Sequence, residues 1–242
     1  VTADGKSLGK FYLDENRTPI RFKDLPKHLV DALIATEDER FYEHSGIDVR
    51  GTLRAMVYLG SKGGASTISQ QLAKQLFHKE KTRGLARYTQ KIKEWVIATR
   101  LEKQYTKEEI LAMYFNIYDF NNNADGIRSA AKIYFDKEPK NLKIEEGAML
   151  VGMFKNSALY NPVKNKEGVT NRRNVVLAQM AKNNYITQEQ KDSLQKLPLK
   201  IKFTPESHND GMATYFREYL RSYMKTWIDQ NPKPDGTKHN LY

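Results

Sequence analysis

The chain has 242 residues, 39% hydrophobic and 29% charged, which is enough apolar material for one sizeable domain with an appendage or two small ones and excludes global disorder. Forty Lys and Arg against 29 Asp and Glu leave a net charge of +11, favouring polyanionic partners: nucleic acid, anionic lipid head groups or a phosphorylated substrate. The absence of cysteine excludes disulfides and thiolate metal sites, and the longest apolar run, about eight residues at 147–154, is far too short to cross a bilayer.

Residues 1–25 read as extended or strand structure, with an Asp4-Gly5 turn and alternating Phe11, Leu13, Ile20 and Phe22. The chain opens without Met, as a piece trimmed from a longer protein would. From Pro26 the pattern turns helical: Leu29, Val30, Leu33, Ile34, Glu37 and Phe41 recur at three- and four-residue spacing. Gly46, Gly51, Gly60, Gly63 and Gly64 then predict a loop-rich stretch. A second helix is predicted over 66–77, burying Ile68, Leu72 and Leu76. A third, over 85–104, is expected to bury Tyr88, Ile92, Trp95 and Val96.

Thr106 and Glu109 have capping-box spacing and start a fourth helix. After the polar break Asn121-Asn122-Asn123, helices are predicted over 126–136, 144–154, 169–184 and 187–196, the last with a second box at Thr187 and Gln190. Pro198, Pro205 and the polar run 206–210 mark a boundary, followed by an amphipathic helix over 212–228 and a Pro/Gly/Lys tail. The fold class is mainly α.

Several residues carry chemical promise. Glu37 continues the stripe of Val30, Leu33 and Ile34, so it should face the core or a cleft rather than bulk water. A carboxylate there bears a desolvation cost unless something offsets it, which is the usual environment of a catalytic acid or base. The alternative is a helix-end carboxylate paired with an arginine. The Gly-rich segment 63–74 runs into a helix N-terminus, where free N–H groups and the helix dipole favour an anion. Thr67, Gln70, Gln71 and Lys74 share its polar face. No Gly-Lys-Ser/Thr closes the loop, so a nucleotide-binding P-loop is not supported.

Eleven Lys and Arg fall within 62–107 against three Glu. Among them Lys91 and Glu94 are i, i+3 neighbours, either a surface ion pair or part of a cleft opposite Glu37. His44 has no partner at metal-ligand spacing. Two Ser-x-x-Lys stretches, at 7–10 and 193–196, lack the Lys-Thr-Gly that would accompany them in a penicilloyl-serine domain.

Five stretches in order resemble glycosyltransferase family 51, the glycan-polymerising half of class A bifunctional penicillin-binding proteins. They are EDERFYEHSGIDVRGTLRA (37–55), GGASTISQQLAKQ (63–75), QKIKEWVIATRLEKQYTKEEILAMYFN (90–116), GIRSAAKIYF (126–135) and EEGAMLVGMFKNSALYNP (145–162), the last followed by NRRNVVL. The resemblance implies a lysozyme-like, two-lobed, mainly helical domain over 26–205, with a small membrane-dipping jaw. Residues 1–25 would follow a missing membrane anchor, and 206–242 would lead toward an absent transpeptidase domain.

It further implies lipid II and the growing glycan strand as substrates, a place on the periplasmic face of the inner membrane, and binding of moenomycin-type inhibitors. No nucleic-acid partner is implied. Glu37 would be the catalytic base and Glu94 the second carboxylate. Ser66, Thr67, Gln71, Lys74, Lys91 and Lys155 would make the pyrophosphate-side contacts. No cofactor is required by the sequence; a divalent cation (Mg or Mn) travelling with the pyrophosphate is the one left open. The sequence departs from the family pattern at Gln90, where Arg is usual, at the extra Ala65, and at 119–123, where Gly is more frequent. Two other readings are a lysozyme-like lytic enzyme and a non-catalytic basic module for membrane or nucleic acid.

Overall fold

The computed structural model describes residues 17–57, 66–77, 85–205, 214–234, 236–237 and 239. The expected strands before residue 17, the glycine loop at 63–65 with the extra Ala65, and the side chain of Tyr88 lie outside the described residues. Two compact units emerge, the larger from Arg17 to Thr204 and a smaller one that includes the described residues 214–234.

In the larger unit a 3-10 turn, Phe22–Asp24, precedes helix α1, Lys27–Glu37, which buries Leu29, Val30, Ala32, Leu33, Ile34 and Ala35. The helix was expected to continue to Phe41 but stops at Glu37. Asp38 leaves helical geometry at φ −160° while its N–H still bonds Ile34 O, and Phe41 is buried from a separate 3-10 turn, Phe41–Glu43. The break frees the Asp38 carboxylate for partners elsewhere in the fold.

The stretch after it is not all loop. Helix α2, Val49–Val57, starts on Asp48, whose carboxylate accepts the Gly51 N–H at 2.9 Å and whose carbonyl accepts the Thr52 hydroxyl at 2.7 Å. A Cβ at Gly51 would lie 2.3 Å from Asp48 Oδ2. That glycine therefore makes room for a helix cap instead of marking a loop.

Helices α3 (Ile68–Phe77), α4 (Leu85–Gln104) and α5 (Lys107–Ile117) follow close to expectation, α5 with its full Thr106–Glu109 capping box. Then come α6 (Gly126–Phe135), α7 (Ile144–Met153), α8 (Lys166–Lys182) and α9 (Gln188–Lys196), with the Thr187–Gln190 box present. α7 is apolar on nearly every side and packs against α1 and α8; α3 packs against α4 and α5. One core of buried side chains runs through these helices, from Leu29 and Leu33 through Leu72 and Leu111 to Leu150 and Val176.

The inward face of α4 is not the one expected. Ile92 and Val96 are exposed, as is Leu76 at the end of α3, whereas Gln90, Glu94, Ala98 and Leu101 turn inward. A helix whose buried stripe carries an amide and a carboxylate has been oriented by something other than apolar burial.

The break at 121–123 is a tight left-handed turn, with Asn121, Asn122 and Asn123 at φ 61°, 54° and 61°. Asparagine tolerates this region better than most residues. Here Asp119 accepts the Asn121 N–H at 2.7 Å, and the Asn122 side chain reaches the Tyr134 hydroxyl at 3.0 Å. The smaller unit contributes α10, Thr214–Gln230, with Tyr215, Tyr219, Tyr223 and Trp227 exposed at four-residue intervals.

Candidate active site

The loop that follows α1 organises the site. Asp38 is buried, and both of its oxygens lie 3.1 Å from His44 Nε2. Its Oδ2 also accepts the Ile68 N–H at 3.0 Å, so it caps the exposed donors at the start of α3. Two residues beyond His44, Gly46 adopts φ +90°, and a Cβ there would stand 2.9 Å from the backbone of Ala98. Only glycine lets the loop rest on α4 so closely. The Gly46 carbonyl, thus placed, accepts the Thr67 hydroxyl at 2.7 Å and the Gln70 amide at 3.3 Å. Lys107 clamps the loop, donating to His44 O at 2.6 Å and pairing at 2.8 Å with Glu102, whose side chain is 5% exposed, the lysine ammonium 4.3 Å from the Phe41 ring centre.

On this platform sits Glu37. Its side chain is only 15% exposed. Oε2 accepts the Gln71 amide at 3.0 Å, and Oε1 lies 3.7 Å from the Arg172 guanidinium. Gln71 is itself oriented: its Oε1 accepts the hydroxyl of fully buried Tyr114 at 2.7 Å. Burial, and then the negative charge of Glu37, push Tyr114 well above the ordinary phenol value, so it stays a neutral donor. Tyr118, affected mainly by burial and also by Glu37, is pushed up to about 12.

A second group lies on α4 and just before α3. Lys91 bridges Glu94 Oε2 at 3.1 Å and the Ser66 hydroxyl at 2.9 Å, while Gln90 donates to Glu94 Oε1 at 3.3 Å. Glu94 is buried, so this is no solvated surface pair. Gln90 supplies a neutral donor to the carboxylate.

The structure thus joins Glu37 to Gln71, and Ser66 to Lys91 and Glu94, with α3 adjoining both groups. Thr67 turns inward to Gly46, behind the site rather than onto its surface. Lys74 is exposed on α3 and Lys155 is exposed just past α7; neither makes a hydrogen bond or ion pair with another described residue. Sequence reasoning did not single out Tyr114, Asp38 or Arg172. Asp38 stood beside Glu37 in the first motif and Arg172 within NRRNVVL, but neither periodicity nor charge marked them.

A helical domain here suspends a nearly buried carboxylate between an amide and a guanidinium, with a lysine–carboxylate cluster on the adjoining helices, an arrangement chemically suited to proton transfer beside anion-stabilising cations. A transglycosylase family profile matches residues 4–181. The chain belongs to this family, the peptidoglycan glycosyltransferases of class A penicillin-binding proteins. It is 37% identical over 228 residues to penicillin-binding protein 1A of Vibrio cholerae, covering 91% of this chain and 26% of that protein. Against penicillin-binding protein 1A of Neisseria lactamica the identity is 40%, covering 98% and 29%. The chain therefore spans less than a third of the length of these relatives. The crystal structure of penicillin-binding protein 1A from Haemophilus influenzae shares the fold, with a TM-score of 0.50 at 22% identity over 93% of this chain and 23% of that one.

Proposed function

We propose that this domain polymerises lipid II, a disaccharide-pentapeptide carried on undecaprenyl pyrophosphate, into glycan strands at the extracytoplasmic face of the membrane. The observation that carries the reading is the state of Glu37: nearly buried, with one oxygen hydrogen-bonded by Gln71 and the other paired with Arg172. A sugar 4-hydroxyl is a poor nucleophile and must lose its proton as it attacks, and in this reading Glu37 accepts that proton. The oxygen attacks the anomeric carbon, the bond from that carbon to the pyrophosphate breaks, and its electron pair leaves on a phosphate oxygen. Attack from the face opposite the leaving group inverts the anomeric carbon, as in inverting glycosidases.

The departing pyrophosphate is already a stable anion and needs cations more than a proton. Lys91, held by Ser66 and Glu94, with exposed Lys74 and Lys155, would supply them. The donor set does not favour a resident metal ion. Both oxygens of Glu94 already face protein donors, and no cluster of three metal-ligating side chains occurs among the described residues. Membrane contact, the moenomycin response and an inner-membrane location are part of the same proposal. They draw on the family resemblance and on the exposed apolar stripe Val49, Leu53 and Val57 of α2.

The test is polymerisation of purified lipid II. Glu37→Gln should lower the rate by roughly 10²–10⁴-fold with the fold retained. Near-normal strand synthesis by that variant would remove Glu37 from the mechanism. Inhibition of the unaltered chain by moenomycin is expected. Release of muropeptides from purified sacculi would instead point to a lytic enzyme.

A further inference from the structure

The two arginines of NRRNVVL lie side by side on α8 and have different surroundings. Arg173 is buried; it bonds Asn174 Oδ1 and the Gln195 carbonyl and so ties α8 to α9. Arg172 points the other way. Its Nε donates to the Gly152 carbonyl at 3.3 Å, its guanidinium lies 5.9 Å from the centre of the Tyr160 ring, and its terminal nitrogen stands 3.7 Å from Glu37 Oε1. Its side chain is 12% exposed. The route is cleared by a glycine: a Cβ at Gly152 would sit 3.0 Å from Arg172 Cγ. Among the described residues Arg172 is the one cation paired with Glu37.

We propose that Arg172 is a positioning residue for the catalytic base. This inference rests on the reading of Glu37 given above. Gln71, backed by Tyr114, fixes one carboxylate oxygen by a hydrogen bond. Arg172, backed by Gly152 and Tyr160, restrains the other by charge. The carboxylate is thereby aimed before substrate arrives, and preorganisation of this kind acts on the chemical step rather than on binding. Arg172 acts through Glu37, so its contribution exists only while residue 37 is a carboxylate.

The experiment is a double-mutant cycle on this chain, with lipid II polymerisation as readout and thermal melting to verify folding. Arg172→Ala should lower kcat by roughly 10–100-fold and leave KM within about twofold. Arg172→Lys, or added guanidinium ion on the alanine variant, should recover part of the loss. In a Glu37→Gln background Arg172→Ala should cost nothing more. Equal fold-losses in the two backgrounds, or a rise in KM with kcat unchanged, would overturn the inference and leave the function intact. If the alanine variant does not fold, the lysine variant carries the same cycle. A wild-type chain that fails to polymerise lipid II overturns the function and this inference together.

Discussion

Tyr114 is fully buried, and its hydroxyl is the far end of a relay that reaches Glu37 through Gln71. Replacing it with Phe removes one oxygen and leaves the stacked contact with Phe154, 4.8 Å between ring centres, intact. The expected cost in stability is about 1 kcal/mol, the net worth of one hydrogen bond. The larger effect should fall on kcat, since a Gln71 amide free to rotate offers Glu37 its carbonyl as readily as its N–H; initial rates at saturating lipid II measure it. Lys155 calls for the opposite split. Exposed and without a described partner, it is expected to act on binding, so Lys155→Ala should raise the apparent KM and leave kcat nearly unchanged. The near-burial of Glu37 was legible because it lies on an apolar stripe, where a carboxylate is out of place. Arg172 lies 135 residues away, and no local pattern marks such a partner. Thr67 was grouped with Gln71 and Lys74 on a polar face, but a carbonyl made accessible by Gly46 draws its hydroxyl inward.

At the level of elements, the helices with capping boxes were the most legible, because Thr-x-x-Glu and Thr-x-x-Gln satisfy orphan N–H groups in any context. α4 had the right bounds and the wrong face. Its apolar positions suggested burial of Ile92 and Val96, and tertiary demand for Gln90 and Glu94 at the site reversed it. α2 was hidden because Gly51 reads as a breaker, whereas here it shelters the Asp48 cap. The end of α6 gives a pH prediction. Asp136 closes that helix in the left-handed region at φ 54°, and hydrogen bonds from Lys132 and Lys202 hold its carboxyl down at about 2. The folded value lies below the ordinary one of about 3.9, so the contribution is fully present above that pH and is lost as pH falls through about 2. Asp136→Asn keeps a residue that tolerates the left-handed turn and removes the charge. The variant should melt below the wild type at pH 6, and the gap should close between roughly pH 4 and pH 2.

Across the larger unit, polar groups have been drawn inside and apolar ones left outside in the same region of sequence. Val49, Leu53 and Val57 are 62%, 56% and 75% exposed along one line of α2, and Phe77, Ile92 and Val96 are exposed on α3 and α4. Exposed single apolar residues need no explanation, but this many on three successive helices, the last two within the basic stretch 62–107, do. Apolar side chains with basic neighbours suit the boundary between acyl chains and anionic head groups. If that surface enters a membrane, Leu53→Glu with Val57→Glu should weaken binding to vesicles containing phosphatidylglycerol by about tenfold or more, since each side chain forfeits its apolar burial and gains a charge. The double variant should keep its melting temperature, because neither side chain belongs to the core. It should also keep its rate on a short-chain, water-soluble lipid II analogue while losing rate on vesicle-embedded substrate. Raising salt should weaken only the electrostatic part of wild-type binding. Vesicle binding unchanged in the double variant, or abolished in the wild type by salt alone, would show that the basic residues suffice and that the exposed apolar line serves some other contact.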